Sequence, residues 1–217
     1  MVRSILLLLP AILFASPAFA QGEDYARQVA QERKEAEREA PQIAEVLGVK
    51  PGMTVADIGT GGGAMAIVLA RLVGSGRIYA TDVTERSLTT TREYAKKEGL
   101  TNITVIEGGV AATNLPDACC DAMFMRNVYH HITEPVAFNK SLFATARPGA
   151  RLAIIDAPDF GSELPKGVPA NRGGHGVPER VVIDELTAAG FTHVRTIQGW
   201  PPDSKQPRVF LALFEKR

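Results

Sequence analysis

The segment Val55-Ala56-Asp57-Ile58-Gly59-Thr60-Gly61-Gly62-Gly63 decides the fold of this chain. Val55 to Ile58 reads as a strand, and the apolar run Ala64 to Val73 predicts a helix directly after the glycines. Glycines between a strand and a helix let the backbone turn sharply and approach a ligand closely. The first turn of a helix also leaves amide donors for an anionic group such as a carboxylate. The segment therefore predicts a strand–turn–helix unit that holds a ligand.

An acidic residue, Asp82, follows the next predicted strand, Arg77 to Thr81, and lies twenty-three residues after Gly59. In nucleotide-binding α/β folds, an acid at this place accepts hydrogen bonds from a ribose diol. The turn and the acid both come at the carboxyl ends of strands in one βαβ unit, so together they favour a nucleoside-type ligand. The alternative is a tight structural turn with an incidental surface aspartate.

The alternation of strands and helices continues along the chain. Helices of ten to fourteen residues between short apolar strands indicate βαβ units on a parallel sheet, with helices on both faces. The further predicted elements are helix Glu85–Glu98, strand Ile103–Ile106, strand Ala122–Met125, helix Pro135–Ala146 with Thr133 as its cap, a turn at Pro148-Gly149, and strand Leu152–Ile155.

A long loop, residues 157–177, then interrupts this rhythm. Eight of its residues are glycine or proline, and an irregular loop of this length usually has a function. We expect it to close over a bound acceptor; the alternative is a floppy insertion. The charged and titratable residues in it are Asp159, Glu163, Lys166, Arg172 and His175.

The C-terminal part contains a helix opened by Pro178 and two strands, His193–Ile197 and Val209–Phe214. The Pro-rich connection between these strands is too short for a helical crossover, so the pair is predicted to be antiparallel.

The first twenty residues have the three parts of a secretory signal peptide. Arg3 supplies the positive charge, Ile5 to Ala15 forms the apolar run, and Ala18-Phe19-Ala20 gives the small-x-small cleavage pattern. Eleven residues are too few to cross roughly 30 Å of hydrocarbon as a helix. We therefore expect cleavage of residues 1–20, no stable membrane insertion afterwards, and export, to the periplasm of a bacterium. If the signal is not used, the protein would be cytoplasmic.

Residues 21–48 are predicted to be an N-terminal helical segment that precedes one domain at 49–217. Residues 23–39 are rich in helix formers and have only a thin apolar stripe, which fits either a lid over a binding site or a plain surface helix. We expect Pro41 to begin a second short helix, Pro41–Leu47, which Gly48 ends.

The composition is that of an ordinary globular domain. Hydrophobic residues make up 45% of the 217 residues, and 24 basic residues balance 24 acidic ones. A formal net charge of zero lacks the strongly basic face that nucleic-acid binders carry. Adjacent cysteines, here Cys119 and Cys120, are poor disulfide partners, and two thiols alone do not make a zinc site. We therefore expect no nucleic acid partner, no disulfide scaffold and no structural metal.

The glycine spacing also fits a nicotinamide dinucleotide formally, as Gly59-x-Gly61-x-x-Ala64. Two features argue against that ligand. Asp57 would place a negatively charged carboxylate where the negatively charged pyrophosphate would pass. The same carboxylate could instead face a positively charged ammonium group. The antiparallel C-terminal pair also does not belong to the usual dinucleotide-binding fold.

In four of its motifs the sequence resembles the class I S-adenosylmethionine-dependent methyltransferases. Val55–Gly63 resembles their first motif, and Asp82 matches their ribose-binding acid. Asp121–His131 resembles their fourth-strand motif, and Arg147–Asp156 resembles the segment that leads into their fifth strand. The resemblance runs from about residue 41 to the end. It is closest to the small-molecule branch that includes the ubiquinone/menaquinone C-methyltransferases and the arsenite methyltransferases. Arsenite is a poor substrate guess here, because Cys119 and Cys120 lie outside the positions expected for arsenic-binding cysteines. It implies a Rossmann-like, doubly wound α/β sheet of seven strands, six parallel and one antiparallel, and S-adenosyl-L-methionine as the cofactor.

The resemblance also implies roles for single residues. Asp82 would hold the ribose hydroxyls, Val83 would pack on the adenine, and Asn127 would lie beside the methionine moiety. Gly109 stands where the family often has an aspartate that accepts the adenine amino group, and backbone carbonyls or Asn114 could replace it. The implied cofactor-binding residues are Asp57, Gly59, Thr60, Gly61, Asp82, Val83, Gly109, Val110 and Asn127.

Three histidines are the candidates for a catalytic role. His130 and His131 follow the fourth-strand motif, and either imidazole could accept a proton at neutral pH; alternatively both are structural. His175, in the long loop, could contact substrate or be a solvated loop residue. A metal role for the neighbouring pair is disfavoured, since adjacent side chains rarely converge on one ion without further ligands. Trp200 could line an apolar pocket or plug the C-terminal hairpin.

We therefore expect a methyltransferase that acts on an unidentified small-molecule acceptor, with an oligomeric state that the sequence leaves open. A second hypothesis is an exported, non-catalytic nucleoside-binding module, because the cofactor is made in the cytosol and Gly109 replaces an expected acid. A third is an exported dehydrogenase with a nicotinamide cofactor.

Overall fold

A computed structural model describes residues 17–161, 166–169, 175–204 and 206–217. These residues form one mixed sheet with helices around it. The strands are β1 (Thr54–Ile58), β2 (Arg77–Asp82), β3 (Ile103–Glu107), β4 (Cys120–Arg126), β5 (Ala146–Asp156), β6 (Thr192–Gln198) and β7 (Phe210–Glu215). The helices are α1 (Pro17–Leu47), α2 (Ala64–Val73), α3 (Glu85–Lys97), α4 (Pro135–Thr145) and α5 (Glu179–Ala188), with a short 3₁₀ turn at Tyr129–His131.

The seven strands lie in the order β3-β2-β1-β4-β5-β7-β6. The pairs from β3 to β5 are parallel, and β7 runs antiparallel to both of its neighbours. This confirms the predicted doubly wound sheet with six strands in one direction and one reversed. The short connection at residues 199–209 enforces the reversal, because a parallel return needs a dozen or more residues.

Side chains of the central strand β4 alternate between two apolar cores, as the period of a strand requires. Ala122 and Phe124 belong to the core under α1 and α2, whereas Met123 and Met125 belong to the core under α4 and α5. Helices on both faces therefore bury the middle of the strand, Ala122 to Met125, which explains why these four residues are all apolar.

The N-terminal helix differs from the prediction of two helices. α1 runs unbroken from Pro17 to Leu47 with Pro41 inside it. Proline removes one backbone donor and normally kinks or ends a helix. Here Ala40, Ile43 and Ala44, on both sides of Pro41, are buried in the core that α1 shares with α2. This burial offsets the lost hydrogen bond and keeps the helix continuous.

Two local predictions near β5 are also wrong. Pro148-Gly149 is not a free turn, because β5 begins at Ala146 and residues 147–150 bulge opposite Asp121 alone. The N–H of Gly149 donates to the carbonyl of Lys216 (2.6 Å), which holds the bulge against the C-terminus. The residue before α4 is Glu134, and no side chain caps this helix, so Thr133 does not have the expected capping role.

Several expectations fall outside the described residues, among them Arg3, Ile5–Ala15, Glu163 and Arg172. The described helix α1 begins at Pro17, upstream of the predicted cleavage point after Ala20. Within the described ranges, no helix combines the length and the apolar character that crossing a bilayer requires.

Candidate functional site

The candidate site lies where β1 and β4 meet at the carboxyl edge of the sheet. The connections from these two neighbouring strands lead to helices on opposite faces, which opens a crevice between them. A cavity of about 260 Å³ occupies this crevice. Its walls come from the ends of β1, β2, β3 and β4, and include Gly59, Asp82, Val83, Gly109, Val110 and His131.

The glycine turn has the tight geometry that its sequence predicts. Gly59 has a left-handed backbone (φ 77°), and a Cβ there would collide with the side chain of Val128. The amides of Gly59 and Thr60 both donate to the carbonyl of Thr81 (2.8 Å each), which ties the turn to β2. Only glycine therefore fits the first position of the turn.

Asp82 supports this turn in addition to lining the cavity. One oxygen of its carboxylate accepts the N–H of Gly61 (3.0 Å), and the other accepts the N–H and hydroxyl of Thr84 (3.0 Å each). The amide of Gly61 is therefore already bonded to the protein's own acid. The oxygen that accepts from Gly61 keeps a lone pair for a further donor.

Exposed apolar side chains flank Asp82 in the large cavity. Val83, after β2, is 59% exposed, and Val110, after β3, is also 59% exposed. Valine side chains left open to solvent beside a carboxylate suit a flat ring attached to a diol. Asn114, the proposed substitute for the missing acid, lies with its amide about 3.5 Å from the place of a Cβ on Gly109 and donates to the carbonyl of Glu107 (3.0 Å).

A smaller hollow of about 80 Å³ adjoins the glycine turn on the α1 side. Its lining residues are Asp57, Glu32, Arg126, Gly59, Thr60, Gly61, Ala64 and Met65. Two acids and one base at a small polar hollow match an α-amino acid group, which carries an ammonium and a carboxylate.

Asp57 is a buried acid with an altered titration. Burial raises the pKa of this carboxyl group to about 7, and the nearby charge of Asp82 adds to the shift. The hydrogen bond from the Thr60 hydroxyl (2.7 Å) and the backbone of Ala66 oppose it, as does the charge of Arg126. Asp57 thus takes an amide at the start of α2 that the sequence suggested for a ligand.

Helix α1 covers the glycine turn, which the sequence left open as lid or surface helix. A Cβ on Gly62 would come within 3.0 Å of Val29, and Glu32 approaches Gly61 and Gly62 from the same helix. Farther along, the buried carboxylate of Glu39 accepts from Arg126 Nε (2.8 Å) and from the indole N–H of Trp200 (2.8 Å). These contacts hold the helix across the carboxyl edge of β4.

Asn127 directly follows β4 and has a left-handed backbone (φ 55°), which is rare for a residue other than glycine. Its N–H donates to the carbonyl of Ile155 (2.8 Å), and its side chain is exposed. It stands between Arg126 and Val128, which line the small hollow and the large cavity respectively. Backbone strain at such a position is common at functional sites.

The structure brings the three candidate histidines together. The ring centroids of His130 and His131 are 4.1 Å apart, and His175 lies 5.0 Å from the first and 5.5 Å from the second. His131 lines the large cavity, and His130 is buried behind it. Partial burial lowers the pKa of His131, and the neighbouring His130 and His175 lower it further, so this imidazole favours the neutral form.

The long loop returns to this site at both of its described ends. Phe160 donates to the carbonyl of His175 (2.6 Å) and Val177 donates to that of Ala157 (2.8 Å), so the two ends pair. Between them, a Cβ on Gly167 would come within 3.3 Å of Thr133, which lines the large cavity. Trp200, in contrast, is buried against Glu39 and plugs the hairpin.

Sequence reasoning missed three residues of the site: Glu32, Arg126 and Asp156. Asp156 ends an apolar strand at the carboxyl edge and could have been found by the same rule that found Asp82. Glu32 lies within a run of charged residues in a helix, and Arg126 is one of many arginines, so neither carries a local signal.

Comparisons with known proteins agree with this geometry. A family model for a methyltransferase domain matches residues 49–177. A release factor glutamine methyltransferase from Moorella thermoacetica is 34% identical over 128 residues, which are 58% of this chain and 44% of that protein. A ubiquinone/menaquinone biosynthesis C-methyltransferase from Yersinia pestis is 28% identical over 111 residues, 50% of this chain and 44% of that protein. The chain thus spans about half the length of the curated relatives it matches.

A solved structure covers more of the chain. The crystal structure of a SAM dependent methyltransferase from Aquifex aeolicus has a TM-score of 0.67 and 31% sequence identity, over 82% of this chain and 89% of that one. The order and direction of the strands and the crevice at the carboxyl edge agree with the match to a methyltransferase domain.

Proposed function

Because this chain belongs to the class I S-adenosylmethionine-dependent methyltransferases, we propose that it transfers a methyl group from this cofactor to a small-molecule acceptor. The observation that carries the proposal is the two-part crevice: an apolar cavity with one carboxylate, joined at Gly59 to a small charged hollow. The family's cofactor has the same two chemical parts, an adenosine and an amino acid.

The residues present fit this cofactor. Asp82 would accept hydrogen bonds from the ribose diol, and Val83 and Val110 would enclose the adenine. Asp57 and Glu32 would face the ammonium group, while Arg126 is the cation within reach of the carboxylate. When bound, S-adenosylmethionine supplies a methyl group activated by its sulfonium charge. The protein then has mainly to position the acceptor and exclude water.

The acceptor would enter where His131, Ile132 and Phe138 line the large cavity. Apolar walls around one imidazole suit a small, partly apolar molecule with a nucleophilic atom. His131 is the histidine that faces this space, whereas His130 lies behind it, bonded to Asp156. Two described residues of the long loop, Gly167 and His175, approach the same wall and would help to cover the acceptor.

A protein substrate is the competing class of acceptor, because one relative is named for a release factor glutamine. The relative named for ubiquinone and menaquinone biosynthesis supports the smaller acceptor. The non-catalytic module has less support, since the matched relatives are named as enzymes.

We also propose export, on the strength of residues 1–20 alone. A fusion of residues 1–25 to a reporter that is active only outside the cytoplasm should give signal. A silent reporter together with an intact N-terminus on the native protein would reject export without affecting the proposed chemistry.

In the central experiment, the protein is incubated with an extract of its host cells and with S-adenosylmethionine that carries a labelled methyl group. Separation into small molecules and proteins shows which fraction receives label, and mass spectrometry identifies the product. We expect label in the small-molecule fraction. Label in protein alone would show that the acceptor is a protein and not a small molecule. Binding of the cofactor without any transfer would favour the non-catalytic module.

A further inference from the structure

The three-histidine cluster has the composition and spacing of a metal site. His130, His131 and His175 each offer one ring nitrogen, and these three atoms all lie within 4.8 Å of one another. In a tetrahedral zinc site, nitrogens about 2.0–2.1 Å from the ion are separated by roughly 3.3 Å. Small side-chain rotations would therefore bring the three nitrogens to coordination distance.

The innermost histidine is already oriented by a buried carboxylate. Asp156, which is fully buried, accepts the backbone N–H of His130 (3.1 Å), and its two oxygens lie 2.9 and 3.0 Å from Nδ1 of the same residue. This bond fixes the ring and assigns Nε2 as the nitrogen that can coordinate. Histidines that bind metals almost always have such a partner on the other ring nitrogen.

The remaining two ligands come from different parts of the chain. His131 belongs to the 3₁₀ turn after β4, and His175 is held by the bond between its carbonyl and Phe160, after β5. The Phe160 ring packs 4.9 Å from His130 and 5.9 Å from His175, so one side of the cluster is apolar.

The opposite side of the cluster meets the large cavity through His131. Three protein ligands with one coordination position left open are the arrangement of catalytic zinc sites, whereas structural zinc sites have four ligands. An ion held here would have its open position directed at the space proposed for the acceptor.

We propose that His130, His131 and His175 bind one divalent transition-metal ion of the zinc class at the wall of the cofactor cavity. The ion would bind a hydroxyl or thiol of the acceptor and hold it as the deprotonated nucleophile. The acceptor's proton would leave to solvent, the new bond would form from oxygen or sulfur to the methyl carbon, and the bond from that carbon to the cofactor's sulfur would break. This second part rests on the proposed function, whereas metal binding does not.

The test uses untagged protein freed of metal by a chelator. Zn²⁺ is titrated calorimetrically, and Co²⁺ is titrated in parallel because its visible absorption reports the number and type of ligands. We expect one ion per chain. His131→Ala and His175→Ala should each weaken binding at least tenfold; both changes lie at the surface or in a loop, and circular dichroism checks the fold.

The fourth histidine and the cysteines provide matched controls. His193 lies on β6 with its Nε2 3.0 Å from the hydroxyl of Thr196, so His193→Ala should leave metal affinity unchanged. Cys119→Ser and Cys120→Ser should also leave it unchanged. The proposal is overturned if the folded wild-type protein takes up no stoichiometric metal, if the histidine variants bind as well as wild type, or if the cysteine variants abolish binding. A separate titration with S-adenosylmethionine without metal tests the proposed function independently.

Discussion

Asp57 combines a proposed role in binding with a cost to the stability of the fold. Its carboxyl group is buried beside Asp82, and only the Thr60 hydroxyl, the Ala66 backbone and the charge of Arg126 favour its ionised form. An ammonium group entering the hollow would add a further favourable charge. Under the proposed function, the acid would gain this partner only when the cofactor is bound.

The raised pKa of Asp57 predicts how stability depends on pH. In the unfolded chain this carboxyl group titrates near pH 4, and in the folded protein it titrates at about 7. Between these values the folded state binds more protons, so the contribution of Asp57 to stability falls as pH rises from about 4 to about 7. The slope reaches at most about 1.4 kcal/mol per pH unit, and the loss levels off above pH 7.

Urea unfolding of the cofactor-free protein across this range measures the effect. The difference between wild type and Asp57→Asn isolates it from the other titrating groups. We expect the variant to gain stability relative to wild type as the pH rises. Parallel curves for the two proteins would contradict the raised pKa.

Asp82 provides the second prediction at this scale. Asp82→Ala should weaken S-adenosylmethionine binding by about 1–3 kcal/mol, because the ribose hydroxyls lose their acceptor. Since the same carboxylate also holds the amide of Gly61, Asp82→Asn separates the two roles by keeping one acceptor oxygen. Its expected loss is smaller than that of the alanine variant.

Calorimetric titration gives the affinities. The control is Glu107→Ala, which changes an exposed acid paired with Asp82 across β2 and β3 and should leave binding unchanged. Equal affinities for Asp82→Ala and wild type would remove Asp82 from the ribose site.

At the scale of single elements, α1 has a structural role and a proposed role in binding the cofactor. Its apolar face packs on α2, while Val29 and Glu32 reach the glycine turn. The helix therefore closes the hollow assigned to the amino acid part of the cofactor, and the large cavity assigned to adenosine lies away from it.

This division predicts a selective effect of Glu32→Gln. Loss of one carboxylate from the hollow should weaken S-adenosylmethionine about tenfold, which corresponds to a hydrogen bond to a charged group. Methylthioadenosine lacks the ammonium and carboxylate, so its affinity should not change. Titration of both ligands against wild type, Glu32→Gln and the exposed control Glu45→Gln on the same helix gives the comparison. Equal losses for both ligands would contradict the role of α1 in binding the amino acid part.

At the scale of the whole molecule, one buried carboxylate connects three distant parts of the chain. Glu39 on α1 accepts from Arg126 at the end of β4 and from Trp200 in the connection between β6 and β7. Arg126 also donates to Glu35 (3.0 Å). The network fastens the N-terminal helix to the sheet at the edge where the ligand cavities lie.

Glu39→Ala should therefore destabilise the fold. Breaking a fully buried ion pair costs roughly 3–5 kcal/mol, but the side chain of Arg126 is 23% exposed, so we expect about 2–3 kcal/mol. Urea unfolding measures the loss, and Glu37→Ala, which removes an exposed partner of Arg71, should cost less than about 1 kcal/mol. Equal losses for the two variants would show that the buried network does not stabilise the fold.

The sequence by itself determined the layout of the sheet and the places of Gly59 and Asp82 at its carboxyl edge. Strand and helix periods, the glycines before α2, and the short Pro-rich connection are local signals that the backbone must obey. They correctly predicted the seven strands, the reversal of β7, and the positions of Gly59 and Asp82 at the carboxyl edge. Each of these features depends on residues close together in the chain.

Only the tertiary structure decided which residues distant in sequence meet around the cavities. The continuity of α1 through Pro41, the bond between Glu39 and Trp200, and the meeting of His175 with His130 and His131 join residues far apart in sequence. Glu39 and Trp200 are 161 positions apart. Such contacts arise because burying apolar faces against the sheet brings polar groups into enclosed spaces, where each must find a partner. No local pattern specifies which partner that will be.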